Sequence, residues 1–163
     1  MTKGELLGKM IHIAVTAHQG QFDKSGRPYV LHVLKVMELL NSDDEELQAI
    51  AVGHDLFEDT AVTTAQLRAE GIPERVVSGI LGLTKMPGQS YEEYQAGVFS
   101  SRDRMLVKSA DLTHNMDLKR LKGVRPKDIE RAGRYIEFYY AIQMRLLDPH
   151  RGVEGAEGVR VRV

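Results

Sequence analysis

Gly53-His54-Asp55-Leu56-Phe57-Glu58-Asp59-Thr60 is the stretch from which the rest of this chain can be read. Before it, Leu47, Ile50 and Ala51 mark the inward face of a helix, and the same stripe continues at four-residue steps through His54 and Glu58. Polar side chains are thereby aimed at a core. Burying a polar group without a partner costs on the order of 2–7 kcal/mol, so such a cluster calls for hydrogen-bond partners or a metal. A divalent cation would meet that need, because adjacent His54 and Asp55 can both reach one ion from a helix end.

Working outward, helical spacing recurs throughout. Leu6, Met10, Ile13, Ala14 and Ala17 share one face, and a polar loop over 19–28 follows, with two glycines and a proline. A second helix runs from Tyr29 to near Asn41, carrying Val30, Val33, Leu34, Met37 and Leu40. Ser42 or Asp43 is placed to cap the helix that leads to His54. Thr63 with Gln66, and Ser90 with Glu93, have capping-box spacing, while Gly71 and Pro73 separate two further helices. A longer helix is expected from about Ser101 to Leu121, with Lys108, Asp111, Asn115 and Leu118 on one face. Pro126 opens a last helix, expected to bury Ile129, Gly133, Ile136, Tyr140 and Met144 and to close before Pro149. Period-two alternation is confined to the end of the chain and no internal repeat is present, so the reading is all-α, a single domain over 1–149 with a flexible tail over 150–163.

Composition narrows the function. The 163 residues suffice for one well-filled core. Twenty-two basic against 23 acidic residues, without a long single-sign run, argue against duplex nucleic acid as a partner. The chain has no cysteine, which removes disulfides, thiolate zinc sites and a cysteine nucleophile. No window approaches a membrane span and the N-terminus lacks a signal-peptide core, so a cytoplasmic protein is expected.

Two further residues are candidates to join His54 and Asp55. His32 lies in the first turn of the second helix, and Asp111 in Lys108-Ser109-Ala110-Asp111-Leu112-Thr113-His114-Asn115. Two imidazoles with two carboxylates suit a mid-to-late divalent metal and leave coordination positions for water.

The pattern His32, His54-Asp55, Asp111 resembles the signature of the HD-domain metal-dependent phosphohydrolases. The strings Ala17-His18-Gln19-Gly20-Gln21, Ser25-Gly26-x-Pro28-Tyr29-x-x-His32, His54-Asp55-x-x-Glu58-Asp59-Thr60, Leu83-Thr84-Lys85 and Ala110-Asp111-x-x-His114-Asn115-Met116 are similar, in order and approximate spacing, to the hydrolase domain of RelA/SpoT homologues. The resemblance covers about residues 6–147 and includes no synthetase region, as in the stand-alone small alarmone hydrolases. It implies an all-helical HD domain that removes the 3′-pyrophosphate of the nucleotides ppGpp and pppGpp, leaving GDP or GTP. It further implies His32, His54, Asp55 and Asp111 as ligands of one divalent ion, usually manganese, and Glu58 and Asp59 as catalytic residues. Substrate contacts are expected from Lys24, Ser25, Lys85 and Asn115, and from Arg131 and Tyr135 on the last helix.

Three positions depart from the family pattern: Asp23 and Leu112 stand where arginine is usual, and Val33 where proline is usual. Asp23 bears on the substrate, since it sets an acidic residue beside a polyphosphate, and it keeps open two alternatives: an HD-domain phosphohydrolase of another nucleotide (ppApp, the 2′-phosphate of NADPH or a nucleoside phosphate) and a low-turnover alarmone-binding module. His12, His18 and His114 are expected to be structural and His150 to lie at the surface. The absence of histidine between Asp55 and Asp111 favours a mononuclear site.

Overall fold

The computed structural model describes residues 2–148; the segment 150–163, with His150, lies outside them. Among the described residues there are nine α-helices and one 3-10 turn: α1 Glu5–Ala17, α2 Val30–Leu40, α3 Glu45–Gly53, α4 Leu56–Asp59, α5 Thr64–Ala69, α6 Glu74–Leu83, α7 Tyr91–Phe99, α8 Arg102–Met116, the turn Leu118–Arg120, and α9 Pro126–Leu147. β structure is limited there to an isolated antiparallel bridge between Phe22 and Pro28, which pins the base of the loop joining α1 to α2. Among the described residues no helix is long and apolar enough to cross a membrane.

The bundle is organised around α3. Leu47, Ala49, Ile50, Ala51, Val52 and Gly53 are all buried, so this short helix has no polar face over its last turns, which is why small apolar residues fill it on every side. Helices α1, α2, α6 and α8 surround it. Gly53 permits a close approach: a Cβ there would sit 2.5 Å from Ile80 Cδ1 and 2.8 Å from Met10 Cε, so those side-chain ends would have to shift. The absent side chain lets the end of α3 press between α1 and α6, which carries His54 into the interior.

Several local expectations are corrected. The cap of α3 is Asp44 rather than Ser42 or Asp43, its carboxylate accepting from the Glu46 and Leu47 amides while Ser42 Oγ accepts from Asp44 N. The stripe does not continue through His54 to Glu58 on one helix. α3 ends at Gly53, and α4 begins at Leu56, after His54 and after Asp55 leaves helical geometry (φ −102°, ψ 1°). Likewise α8 stops at Met116 instead of reaching Leu121. There Asp117 turns extended (φ −72°, ψ 86°) and its side chain captures the Lys119 amide, a local bond that competes with the helix. The capping boxes Thr63–Gln66 and Ser90–Glu93 form as expected.

The largest correction concerns α9. Ile129, Ile136, Tyr140 and Met144, expected inside, are 61%, 45%, 64% and 59% exposed, and Gly133 meets no neighbour; the helix instead buries Asp128, Ala132, Phe138 and Ile142. Both stripes have helical spacing, and the second wins because Phe138 completes an aromatic cluster. Its ring packs edge-on against Tyr91, Tyr94 and Phe99 with centroids 6.0, 6.3 and 5.6 Å away. Asp128 can be buried because it accepts from Arg125 and Arg131. Phe138→Ala should therefore destabilise the fold by about 3–5 kcal/mol, read by urea or thermal denaturation, whereas Ile136→Ala on the exposed stripe should fall within about 0.5 kcal/mol.

Candidate functional site

The break between α3 and α4 sets the centre of the site. His54 closes α3, and its Nδ1 lies 2.8 Å from the Ala51 carbonyl oxygen. A carbonyl only accepts, so Nδ1 carries the proton and Nε2 is the free nitrogen. That Nε2 is buried, lies 2.9 Å from Asp55 Oδ2, and yet has no hydrogen bond of acceptable angle. Burial opposes charge on this ring, but the Asp55 and Asp111 carboxylates beside it raise the His54 pKa well above its ordinary value, so the position between nitrogen and oxygen favours positive charge, a proton or a metal ion.

His32, one turn into α2, brings its Nε2 to 3.5 Å from Asp55 Oδ2 and 3.2 Å from Asp111 Oδ1; His54 Nε2 is 3.6 Å from the same Asp111 oxygen. His32, His54 and Asp55 each offer a ligand atom within 4.8 Å of the others. Metal–nitrogen and metal–oxygen bonds of about 2.0–2.2 Å put neighbouring ligands about 3 Å apart, so these spacings fit one divalent ion. The four residues come from α2, the α3–α4 junction and α8, and three of them, His32, His54 and Asp111, are buried.

The surrounding bonds hold the donors in place. Tyr29 donates its hydroxyl proton to Asp55 Oδ2 at 2.6 Å, and burial with the neighbouring Asp55 charge pushes its own pKa up. Asn115 Nδ2 donates to Asp111 Oδ1 at 2.6 Å. Lys108 Nζ lies 2.8 Å from the other Asp111 oxygen and 5.5 Å over the Tyr94 ring. Burial opposes charge on both partners, but the Asp111 carboxylate holds the Lys108 ammonium well above its usual pKa and Lys108, with the two histidines, holds Asp111 well below. Asp111 is thus split: one oxygen faces the histidines and the other an ammonium. His114 stacks on His32 with Nδ1 atoms 2.6 Å apart, and burial and the His32 charge depress it to about 4, so it serves as a neutral partner orienting His32.

These residues form the floor of a cavity of about 520 Å³. Glu58 and Asp59 stand exposed on its wall, Glu58 tethered by the Lys85 amide at 3.1 Å. Burial and the nearby Asp55 charge push the Asp59 carboxyl up from its ordinary range. Lys24, Lys85, Asn115 and Tyr135 also line the cavity. Ser25 and Arg131 are not among the lining residues: Ser25 is buried and donates its hydroxyl to Asp23, and Arg131 is paired with Asp128 at 2.9 Å. The sequence reading missed Tyr29, Lys108 and Arg120 as lining residues. The first stands three residues before His32 and the second three before Asp111, spacings that place a polar group on the same helical face; Arg120, beyond the end of α8, has no such signal.

Over 82% of its length the chain is 36% identical to the guanosine-3′,5′-bis(diphosphate) 3′-pyrophosphohydrolase of Haemophilus influenzae and 34% identical to the bifunctional (p)ppGpp synthase/hydrolase SpoT of Escherichia coli, covering 21% of each. It is 33% identical, over 87% of its length, to the corresponding pyrophosphohydrolase of Vibrio cholerae, covering 22% of it. The chain thus spans about a fifth of the length of these relatives. Among solved structures, a metazoan orthologue of SpoT that hydrolyses ppGpp superposes with a TM-score of 0.71, covering 87% of both chains at 20% identity, which places the two in one fold. No family model matches the chain.

The split of Asp111 between histidines and ammonium has a measurable consequence in chelator-treated protein. Lys108→Met leaves a buried carboxylate uncompensated and should cost about 3–5 kcal/mol in denaturant unfolding. Adding Asp111→Asn to that variant removes the orphaned charge and should restore part of the loss; a double variant less stable than Lys108→Met alone would contradict the pairing.

Proposed function

The chain belongs to the family of the SpoT-related (p)ppGpp pyrophosphohydrolases, and on that premise we propose that it is a metal-dependent hydrolase of the 3′-pyrophosphate of guanosine alarmones. It holds one divalent ion, Mn2+, through His32, His54, Asp55 and Asp111. The observation that carries the reading is the convergence of His54 Nε2 and Asp55 Oδ2, 2.9 Å apart, with His32 and Asp111 completing the ring of donors on a cavity floor. Two imidazoles and two carboxylates that converge on one point raise the histidine pKa values, which marks the point as one that favours a cation.

The bound ion would acidify a water and withdraw charge from the attacked phosphoryl oxygens. The chain's own residues do the rest. Glu58, fixed at one oxygen by the Lys85 amide, presents the other to the cavity, where it orients the water and takes its proton. Asp59, whose carboxyl is raised by burial and Asp55, is suited to hold a proton for the departing 3′ oxygen. Lys24 and Lys85 offer charge to phosphate oxygens at the rim, and Asn115 faces the ribose. Water adds across the bond from the 3′ oxygen to phosphorus, giving GDP and pyrophosphate from ppGpp and GTP and pyrophosphate from pppGpp. ppApp and NADPH are the competing substrates against which the guanosine reading is tested.

Incubation of the purified protein with ppGpp and Mn2+, resolved by ion-exchange chromatography, should give GDP plus pyrophosphate, and chelator should abolish it. Turnover of ppApp or NADPH with ppGpp intact would move the substrate and refute the guanosine reading. Glu58→Gln should lower kcat by about 100-fold or more while Mn2+ content stays whole. Asp55→Ala should lose the metal by elemental analysis; full metal content in that variant would overturn the ligand assignment.

A further inference from the structure

Twenty described residues line the site cavity, and Arg120 is the only one among them with a guanidinium. It stands on the 3-10 turn that follows α8, with its side chain 11% exposed. Two contacts fix it: Nη1 donates to Asp23 Oδ2 at 2.9 Å and Nη2 to Asn115 Oδ1 at 3.2 Å. The same Asn115 donates to Asp111 Oδ1, so the guanidinium is only one side chain removed from the histidine–aspartate cluster. Of the five N–H donors of an arginine, these contacts use two, and Nε is buried with no partner.

Asp23 does not simply cancel this charge. Its Oδ1 accepts from the Ser25 amide, the Ser25 hydroxyl and the Arg27 amide, while Oδ2 takes Arg120. The carboxylate's charge is therefore spread over four donors, three of them belonging to its own tight turn. Asp23 is an anchor that closes the turn and holds the guanidinium at the cavity wall. The acidic residue that looked unfavourable beside a polyphosphate in the sequence carries a cation toward it instead.

Building on the nucleotide substrate read above, we propose that Arg120 is a specificity-determining residue that grips a phosphate group of the substrate, and that Asp23 is the residue that positions it. A planar, always-charged fork held at two points is pre-organised for bidentate contact with phosphate oxygens, which a lysine cannot reproduce. Lys24 and Lys85 supply point charges at the rim; Arg120 supplies direction next to the metal cluster.

Steady-state hydrolysis of ppGpp with Mn2+, paired with calorimetric titration of Mn2+, tests this. Arg120→Gln should raise KM roughly 10- to 100-fold with kcat within about threefold and Mn2+ affinity unchanged, and Arg120→Lys should fall between it and wild type. Asp23→Asn keeps the acceptor that closes the turn and loses the partner of Nη1, so it should raise KM in the wild-type background and add nothing to Arg120→Gln. An unchanged KM in Arg120→Gln, with turnover intact, would overturn the proposal while leaving the function reading in place. A KM rise matched by an equal loss of Mn2+ affinity would overturn it too, since Arg120 would then act only through Asn115 and Asp111. An Asp23→Asn effect that persists in the Arg120→Gln background would overturn the role given to Asp23. If wild type neither binds nor hydrolyses ppGpp, the function reading fails and this inference falls with it. Circular dichroism separates all of these from unfolding, and Arg120→Lys keeps the test open should Arg120→Gln not fold.

Discussion

Two histidine nitrogens and two carboxylates meet in the interior of this protein, and the remaining architecture can be understood as what makes that meeting tolerable. Left to itself the cluster would be expelled, because each of its groups is more stable in water. It stays because every donor is held from behind: Asp55 by the Tyr29 hydroxyl, Asp111 by Lys108 and Asn115, His54 by the Ala51 carbonyl and His32 by His114. These bonds fix His54 Nε2, His32 Nε2 and the inner carboxylate oxygens so that they face one another, each oxygen also taking one hydrogen bond from Tyr29 or Asn115. The residues behind the cluster thus hold its atoms at a spacing that favours a cation, and do so from protein atoms alone.

That arrangement depends on where helices stop. A continuous helix from Glu45 through Asp59 would separate His54 and Asp55 by 100° and aim only one of them at the cavity. Ending α3 at Gly53 and restarting at Leu56 brings both to one point. Gly53 is part of the same device, because a side chain there would require the ends of Ile80 and Met10 to move aside. The backbone irregularity and the polar cluster are one feature.

Much of this was legible in the sequence, and the limits of legibility have physical causes. The fold class, the helices and the residues that converge, His32, His54, Asp55 and Asp111, followed from helical periodicity and from the resemblance of the motifs that contain them. The inward face of α9 did not, because two apolar stripes of equal periodicity run along it, and the choice rests on packing of Phe138 with Tyr91, Tyr94 and Phe99 from α7. Periodicity reports that a helix has an apolar face and cannot say which of two faces has a partner. The end of α8 was misplaced for a related reason, since Asp117 can either continue a helix or bond the Lys119 amide, and both options are local.

Arg120 marks a different limit. A sequence comparison scores residue types position by position, and at position 23 it finds a carboxylate where a cation is usual. Recognition of an anion depends on where positive charge sits in the cavity, and that is decided by pairs far apart along the chain. Asp23 and Arg120 are 97 residues apart and their side chains are about nine-tenths buried against each other. With the carboxylate committed to its turn and the guanidinium carried on the segment after α8, the charge pattern of the cavity wall is reorganised without losing a cation. The same logic applies to Lys108, which shares a helical face with Asp111 in the sequence and is spent in the structure on one oxygen of that carboxylate. In a small helical bundle the charges that define a site can thus move among helix ends and loops, provided each is neutralised by a neighbour that the same packing brings near.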